Sequence, residues 1–286
     1  MKSSVITDNQ KVWYVTGASK GLGLSLVKQL LAAGLKVAAT SRNLAQLEKE
    51  VSKANENFLP LCVDLTNESN VQESIAATIT AFGKIDVVVN NAGYGLLGSL
   101  EELSDKESRA NFDINVFGTL NIIRNVMFQL RKQQSGHIIN ISSIGGFTGN
   151  FPGFGIYCAS KFAVVGLSES LAAEVEPFGV NVSVVMPGYF RTNFLTADSL
   201  GVPENEIPAY AAVRDSQKAH QQTINGNQTG DPEKAVAAII KVAGAERPPL
   251  HLYLGQDAYD MADNKILSLQ NDMDLWEELA TATAFG

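Results

Sequence analysis

Short apolar runs alternate with stretches of helical periodicity from residue 12 to residue 188. Several runs are apolar throughout, as expected of parallel strands that are buried on both faces. The intervening stretches carry apolar stripes, as in residues 22–33. The predicted strands are residues 12–16, 36–40, 58–63, 85–90, 136–142, 180–186 and 250–254. This alternation predicts an α/β fold, a doubly wound parallel sheet of seven strands with helices on both faces.

Two regions depart from the alternation. Residues 189–230 are long for a connection inside an α/β domain, and such segments are commonly substrate lids. Apolar residues at spacings of four and three predict an amphipathic helical tail at about 257–286. Its stripe comprises Ala258, Ala262, Ile266, Leu269, Met273, Trp276 and Ala280. Without an internal repeat or a low-complexity linker, residues 1–286 are predicted to form one domain.

Composition narrows the class of protein. The chain has 286 residues, of which 45% are hydrophobic, enough for a substantial core. Its net charge of -8 opposes non-specific binding to nucleic acid or an anionic membrane, and residues 257–286 carry -6 of that charge. No apolar run is long enough to span a membrane, and residues 1–11 lack the apolar core of a secretory signal. We therefore expect a cytoplasmic protein with small-molecule partners. Cys62 and Cys158 agree with a reducing compartment.

A glycine-rich segment directly follows the first predicted strand and precedes the first predicted helix. Glycine here permits a tight turn and lets backbone N–H groups approach a pyrophosphate, which the positive end of the helix dipole also attracts. The segment predicts a dinucleotide site whose loop residues are Gly17, Ser19, Lys20, Gly21, Leu22 and Gly23.

Charge at the end of the second strand indicates which dinucleotide is bound. A carboxylate at this place binds the ribose hydroxyls of NAD(H) and repels a 2′-phosphate. The chain instead has Ser41 and Arg42, with no acid between Leu35 and Gln46, and Lys20 adds a cation. Because a guanidinium suits a phosphate dianion, NADP(H) is expected over NAD(H). The alternative is that Arg42 is an ordinary solvated arginine.

Tyr157 and Lys161 lie four residues apart at the start of a predicted helix, so both can reach one ligand. A neighbouring ammonium is expected to lower the pKa of the phenol and make it a usable acid or base. Ser142 and Ser143 end the fifth predicted strand, and a serine hydroxyl there could hold a substrate carbonyl. A Tyr–Lys pair at this spacing also arises by chance, and paired serines also cap loops.

Taken together, these residues resemble the short-chain dehydrogenases and reductases of the compact, single-domain kind. The resemblance extends over about residues 11–192 and implies a Rossmann-type fold with a nicotinamide cofactor. The catalytic set that it implies is Asn115, Ser143, Tyr157 and Lys161. The cofactor site that it implies adds Asp64, Leu65, Asn91, Ala92, Gly93, Pro187, Gly188 and Thr192 to the residues above.

The resemblance also implies roles for the catalytic set. Tyr157 would exchange a proton with the substrate oxygen, and Ser143 would orient the carbonyl and stabilise its developing charge. Lys161 would lower the pKa of Tyr157 and bind the nicotinamide ribose. Asn115 would hold a water that links Lys161 to a proton relay, the alternative being a satisfied amide in helix packing.

In the cofactor site, the resemblance implies that Asp64 binds the adenine, that Thr192 meets the carboxamide and that Gly188 leaves room for the ring. Thirteen residues separate Ser143 from the tyrosine, one more than in many members of the family. This leaves open whether Ser142 or Ser143 faces the substrate, and Ser143 is favoured because members with two serines use the second.

We therefore expect an NADPH-dependent carbonyl reductase or secondary-alcohol dehydrogenase for small hydrophobic substrates. Hydroxysteroid, retinol-type or 3-oxoacyl conversion is the alternative within the family, and a non-catalytic NADP(H)-binding regulator is the alternative of another class. The family implies a homodimer or homotetramer. The three histidines form no ligand pattern, so no metal is expected. The predicted pocket wall comprises Tyr94, Gly95, Leu96, Ile144, Phe151, Phe154, Tyr189, Phe190, Phe194 and Leu195.

Overall fold

Seven parallel strands form the central sheet of the computed structural model, which describes residues 11–285. They are β1 (Val12–Val15), β2 (Lys36–Ser41), β3 (Phe58–Cys62), β4 (Val87–Asn90), β6 (Gly136–Ile141), β7 (Val180–Pro187) and β9 (His251–Leu254). Their order across the sheet is β3-β2-β1-β4-β6-β7-β9. The predicted doubly wound fold is thereby confirmed. Two strands of two residues each were not predicted, β5 (Gly95–Leu96) and β8 (Leu200–Gly201), and they pair with each other.

Helices cover both faces of this sheet. They are α1 (Gly21–Ala32), α2 (Leu44–Glu50), α3 (Glu68–Phe82), α4 (Asp105–Phe112), α5 (Thr119–Gln133), α6 (Gly155–Val175), α7 (Ala211–Lys218), α8 (Pro232–Ala243) and α9 (Gln256–Thr281). Side chains alternate along each strand, so Trp13 packs in one core with α1 and α8. Its neighbour Tyr14 packs on the opposite face with α3, α5 and α6. Both rings are almost fully buried.

Some expectations concern residues that the structure leaves undescribed. Residues 1–10 and residue 286 lie outside the described part of the chain. The expectation that a secretory signal is absent concerns residues 1–11, nearly all of which are undescribed. The interpretation of residues 1–286 as a single domain stays a prediction. Among residues 11–285, no helix combines the length and the apolar character needed to cross a membrane.

Residues 189–230, hereafter the lid segment, contain more regular structure than a loop. They include β8, α7 and a π-helical turn at Ala219–Ile224 that continues α7. The segment is attached to the rest of the chain by the buried carboxylate of Glu102, which lies 2.8 Å from a guanidinium nitrogen of Arg214. The same carboxylate accepts hydrogen bonds from the backbone N–H groups of Ser99 and Ile207.

The predicted tail helix is present as α9, but only its beginning is packed. Ala258 and Ala262 are buried beside Ile144. Further along the predicted stripe, Met273 is 67% exposed and Trp276 is 57% exposed. Packing of the predicted stripe is therefore limited to the first turns of the helix, and an apolar face over the whole tail stays a prediction.

Replacing Arg214 with leucine is expected to cost roughly 3 to 5 kcal/mol of unfolding free energy, because it leaves the Glu102 carboxylate buried without its cation. Urea unfolding curves measure the loss. The control is Arg109→Leu, which breaks the exposed pair with Asp105 and should unfold like wild type. Equal effects of the two substitutions would show that the buried pair does not secure the lid segment.

Candidate active site

One cleft of about 400 Å³ lies at the carboxyl edge of the sheet, between the glycine-rich loop and the lid segment. Most predicted site residues line it, namely Gly17, Ser19, Lys20, Gly21, Leu22, Ser41, Arg42, Leu65, Asn91, Ala92, Gly93, Ser143, Tyr157, Lys161, Pro187, Gly188 and Thr192. Three predicted residues are not part of the lining, Gly23, Asp64 and Asn115. Among residues 11–285, no group of three or more His, Cys, Asp or Glu side chains is placed to hold a metal ion.

The glycine-rich loop has the features of an anion site. Gly17 and Gly21 adopt positive φ angles of 65° and 59°, a conformation that favours glycine. At the start of α1, Lys20 makes no side-chain cap and the first turn contains no acid. The first N–H groups of the helix are therefore available to a phosphate. Gly23 instead serves packing, because a Cβ there would come within 2.5 Å of the amide nitrogen of Asn91.

Hydrogen bonds join this loop to the segment after β4. The Thr16 hydroxyl accepts from the backbone N–H groups of Asn91 and Ala92, each at 3.0 Å. In return, the Asn91 side chain donates to the backbone oxygens of Thr16 and Gly17. These bonds fix two walls of the cleft relative to each other.

At the end of β2, Arg42 is exposed and lines the cleft. None of the ion pairs formed within residues 11–285 involves it. The Lys20 ammonium donates to the backbone oxygen of Asp198, across the cleft in the lid segment. The Asp64 carboxylate accepts from the backbone and hydroxyl of Thr66. In this structure the Asp64 carboxylate stabilises the local turn. Its contact with adenine stays a prediction.

The two serines at the end of β6 have different surroundings. Ser142 is buried and its hydroxyl donates to the backbone oxygen of Lys161, in α6. Ser143 accepts from the backbone N–H of Gly145 at 3.0 Å and lies beside the phenol of Tyr157. The arrangement therefore favours Ser143 as the serine that faces the substrate.

Lys161 is buried, and its ammonium nitrogen lies 5.9 Å from the ring centroid of Tyr157. It donates to the backbone oxygen of Ile141 at 2.9 Å. Burial lowers the pKa of Lys161 to about 8. Burial also raises the pKa of Tyr157, and the Ser143 hydroxyl opposes the rise. Desolvation is the largest effect on this phenol, and the expected lowering of its pKa by Lys161 stays a prediction.

Asn115 lies behind the cleft in a π-helical turn, Asp113–Gly118, between α4 and α5. Its amide nitrogen donates to the backbone oxygen of Tyr94 and to the side chains of Asn111 and Ser160. Its oxygen accepts from the backbone N–H of Tyr94. The amide is satisfied by protein groups, so its role in holding a water stays a prediction. Single π-turns are frequent at functional sites.

Gly188 lines the cleft beside the first turn of α9, and its role of leaving room for a nicotinamide ring stays a prediction. A Cβ at this position would come within 2.3 Å of the Asp257 carboxylate, in the first turn of α9. The same carboxylate accepts from the backbone N–H of Tyr189 at 2.6 Å. A side chain here would displace the Asp257 carboxylate from its hydrogen bond with Tyr189.

The polar lining residues that the sequence does not indicate include His220 and Gln228, both in the lid segment. We considered His220 only as a metal ligand. The Gln228 amide oxygen is buried and has no hydrogen-bond partner among residues 11–285. No local pattern indicates either residue, because the folding of the lid segment brings both to the cleft. Cys158 also lines the cleft, and burial raises the pKa of its thiol to about 11, against a reactive role.

Comparison with known proteins agrees with this geometry. The family model for short chain dehydrogenases matches residues 11–201. Oxidoreductase BOA17 of Botryotinia fuckeliana is 35% identical, with 96% of this chain and 99% of that protein covered. A 3-ketodihydrosphingosine reductase of Bacteroides thetaiotaomicron is 38% identical, with 84% and 86% covered. A crystal structure of a short-chain dehydrogenase from Streptomyces avermitilis superposes with a TM-score of 0.87 at 37% identity, covering 96% of this chain and all of the other.

Replacing Lys161 with methionine is expected to raise the free energy of unfolding at pH 7, by up to roughly 3 kcal/mol. The folded-state pKa of about 8 lies below the ordinary value of 10.5, so the protonated lysine destabilises the fold below pH 8. The gain should shrink as the pH rises from 8 towards 10.5, which denaturant unfolding over this range measures. Lys28→Met, at an exposed position of α1, is the control. A gain that does not change with pH would contradict this explanation.

Proposed function

The chain belongs to the short-chain dehydrogenase family of oxidoreductases, and from this premise we propose that it reduces ketones or aldehydes with NADPH and oxidises the corresponding secondary alcohols. The observation that carries the proposal is the position of Ser143, Tyr157 and Lys161. All three line the same cleft as the glycine-rich loop, so a phosphate-bearing cofactor and a carbonyl could meet there. All three face that cleft with their functional groups close together, which argues against a non-catalytic regulator.

The residues present fit a nicotinamide dinucleotide. The positive φ angles of Gly17 and Gly21 and the uncapped start of α1 suit a pyrophosphate, and Lys161 would bind the nicotinamide ribose. Arg42 has a free guanidinium at the ribose end, which favours a 2′-phosphate and hence NADP(H). When bound, this cofactor supplies or accepts the hydride.

Tyr157 moves the proton. In the reduction direction its phenol donates a proton to the substrate oxygen as negative charge develops there. Ser143 donates a hydrogen bond to the same oxygen and orients it. In the oxidation direction Tyr157 takes the proton back, and the cationic Lys161 stabilises the phenolate.

The lining supports a hydrophobic carbonyl substrate. Much of the pocket wall is aromatic, including Phe151, Phe154 and Phe194. One relative is named for the reduction of 3-ketodihydrosphingosine, which is consistent with a ketone reductase. A 3-oxoacyl or hydroxysteroid substrate fits the same chemistry.

We further propose a cytoplasmic homodimer or homotetramer. Phe128 of α5 is 69% exposed and Phe162 of α6 is 42% exposed. Exposed aromatic side chains on these two helices suit an interface between copies of the chain.

Replacing Tyr157 with phenylalanine should lower turnover by about 100-fold or more, because the proton donor is lost. NADPH binding, followed by quenching or enhancement of its fluorescence, should stay close to wild type. Near-normal turnover with intact binding would exclude Tyr157 as the acid.

Replacing Arg42 with alanine should weaken NADPH about tenfold or more, while NADH binding changes little. Titration of both dinucleotides measures the two dissociation constants. The control is Arg124→Ala, which removes an exposed arginine outside the cleft lining and should affect neither dinucleotide. Equal losses for NADPH and NADH in the Arg42 variant would mean that no phosphate contact exists.

A further inference from the structure

A tyrosine and a histidine form a hydrogen-bonded pair in the wall of the cleft, and neither takes part in the proposed proton transfer. Tyr189 follows β7, and His220 lies in the π-helical turn after α7. The Tyr189 hydroxyl lies 2.9 Å from Nε2 of His220. Both side chains line the cleft that contains Tyr157.

Only one aromatic ring separates this pair from Tyr157. The ring of Phe154 packs edge-on against His220, with centroids 4.8 Å apart. It also packs edge-on against Tyr157, with centroids 6.0 Å apart. A substrate whose carbonyl is at Tyr157 and whose remaining atoms run past Phe154 therefore reaches the pair.

The hydrogen bonds of His220 define which of its nitrogens carries the proton. Nδ1 lies 2.7 Å from the backbone oxygen of Ser216, which can only accept, so Nδ1 is the donor. Burial lowers the pKa of His220 and keeps the ring neutral at pH 7. Nε2 is then an acceptor, and Tyr189 must donate its hydroxyl proton to it.

Tyr189 is held in this position from two sides. Its backbone N–H donates to Asp257 at 2.6 Å, and its backbone oxygen accepts from Gly230 at 3.2 Å. The phenol is fixed by His220 in the lid segment. Tyr189 is thus anchored by α9 and the lid segment together, and its oxygen has a defined orientation.

We propose that the Tyr189 hydroxyl recognises a hydroxyl group on the substrate, distant from the reacting carbonyl. The inference rests on the proposed function and specifies its substrate class, a ketone or aldehyde that also carries an alcohol. Because the only proton of Tyr189 is committed to His220, its oxygen can only accept a hydrogen bond from a ligand. A hydroxyl satisfies it, whereas a methyl group or an ether oxygen does not.

The apolar surroundings make this discrimination effective. The side chains of Phe154, Phe194 and Leu195 pack in the same hydrophobic cluster as Tyr157. A ligand that lacks the donor leaves the Tyr189 oxygen without this hydrogen bond. A site built to hydrogen-bond a substrate hydroxyl disfavours analogues without it far more strongly than a hydrophobic pocket disfavours a change of size.

The test uses the full-length enzyme with NADPH and with NADH, and three series of 2-alkanones of increasing chain length. The ketones of one series end in a methyl group, those of the second in a hydroxyl and those of the third in a methyl ether. The readout is kcat/KM for each ketone. At one chain length or more, wild type should prefer the hydroxyl-ended ketone over both others by about tenfold or more.

Variants then test whether Tyr189 and His220 cause the preference for the hydroxyl-ended ketone. Tyr189→Phe should lower kcat/KM for the hydroxyl-ended ketone about tenfold or more relative to that for the methyl-ended ketone. Tyr259→Phe removes an exposed hydroxyl of α9 and is the matched control. His220→Gln keeps an acceptor for the Tyr189 proton and should retain the preference. His220→Phe releases that proton, so the ether-ended ketone should gain relative to wild type.

The outcomes separate the two proposals. No turnover of any ketone with either dinucleotide would overturn the proposed function, and this inference with it. Turnover without any preference for the hydroxyl would overturn the inference alone. So would a Tyr189→Phe variant that lowers kcat/KM equally for all three series, since the pair would then only fasten the lid segment. If that variant does not fold, the wild-type preference and the two His220 variants decide.

Discussion

The buried amide of Asn115 links α6 to the loop after β4 and so holds the two in position. Its four hydrogen bonds hold both backbone groups of Tyr94 on one side and Ser160 of α6 on the other. The Ser160 hydroxyl in turn donates to the backbone oxygen of Tyr157. Asn115 lies in the π-turn Asp113–Gly118 between α4 and α5, a kind of turn that is frequent at functional sites.

Helix α6, which the Asn115 amide positions, contains the buried cation of Lys161. The Lys161 ammonium is hydrogen-bonded to a backbone oxygen, with no carboxylate paired to it among the described residues. Desolvation disfavours its charged form, so the arrangement lowers the stability of the fold. A fold tolerates such a group where function requires it, and the cost is offset by the apolar cores on the two faces of the sheet. The lysine is therefore better explained by binding and catalysis than by stability.

Strands and helices with a periodic sequence pattern can be predicted from the sequence. Features that depend on tertiary contacts cannot. Strand and helix periodicity placed the seven strands, and the parallel topology then brought the glycine-rich loop, Ser143 and Tyr157 to one edge. β5 and β8 have two residues each and no periodicity, so only the lid segment's folding creates them. His220 carries no local signal of its position beside the cleft. The burial of Tyr157 and Lys161, which controls their pKa values, likewise depends on packing that spacing alone does not reveal.

Gly188 shows that packing against a neighbouring helix can also favour glycine at a predicted cofactor contact. The Pro-Gly pair after β7 resembles a cofactor contact, yet the atoms that would collide with a side chain at Gly188 belong to Asp257. The first turn of α9 therefore supports the wall of the cleft by fixing the backbone of Tyr189. The acids of residues 257–286, which carry most of the net charge, accordingly have two different surroundings. Asp257 fixes the backbone of Tyr189, and the remaining acids keep the exposed part of the helix solvated.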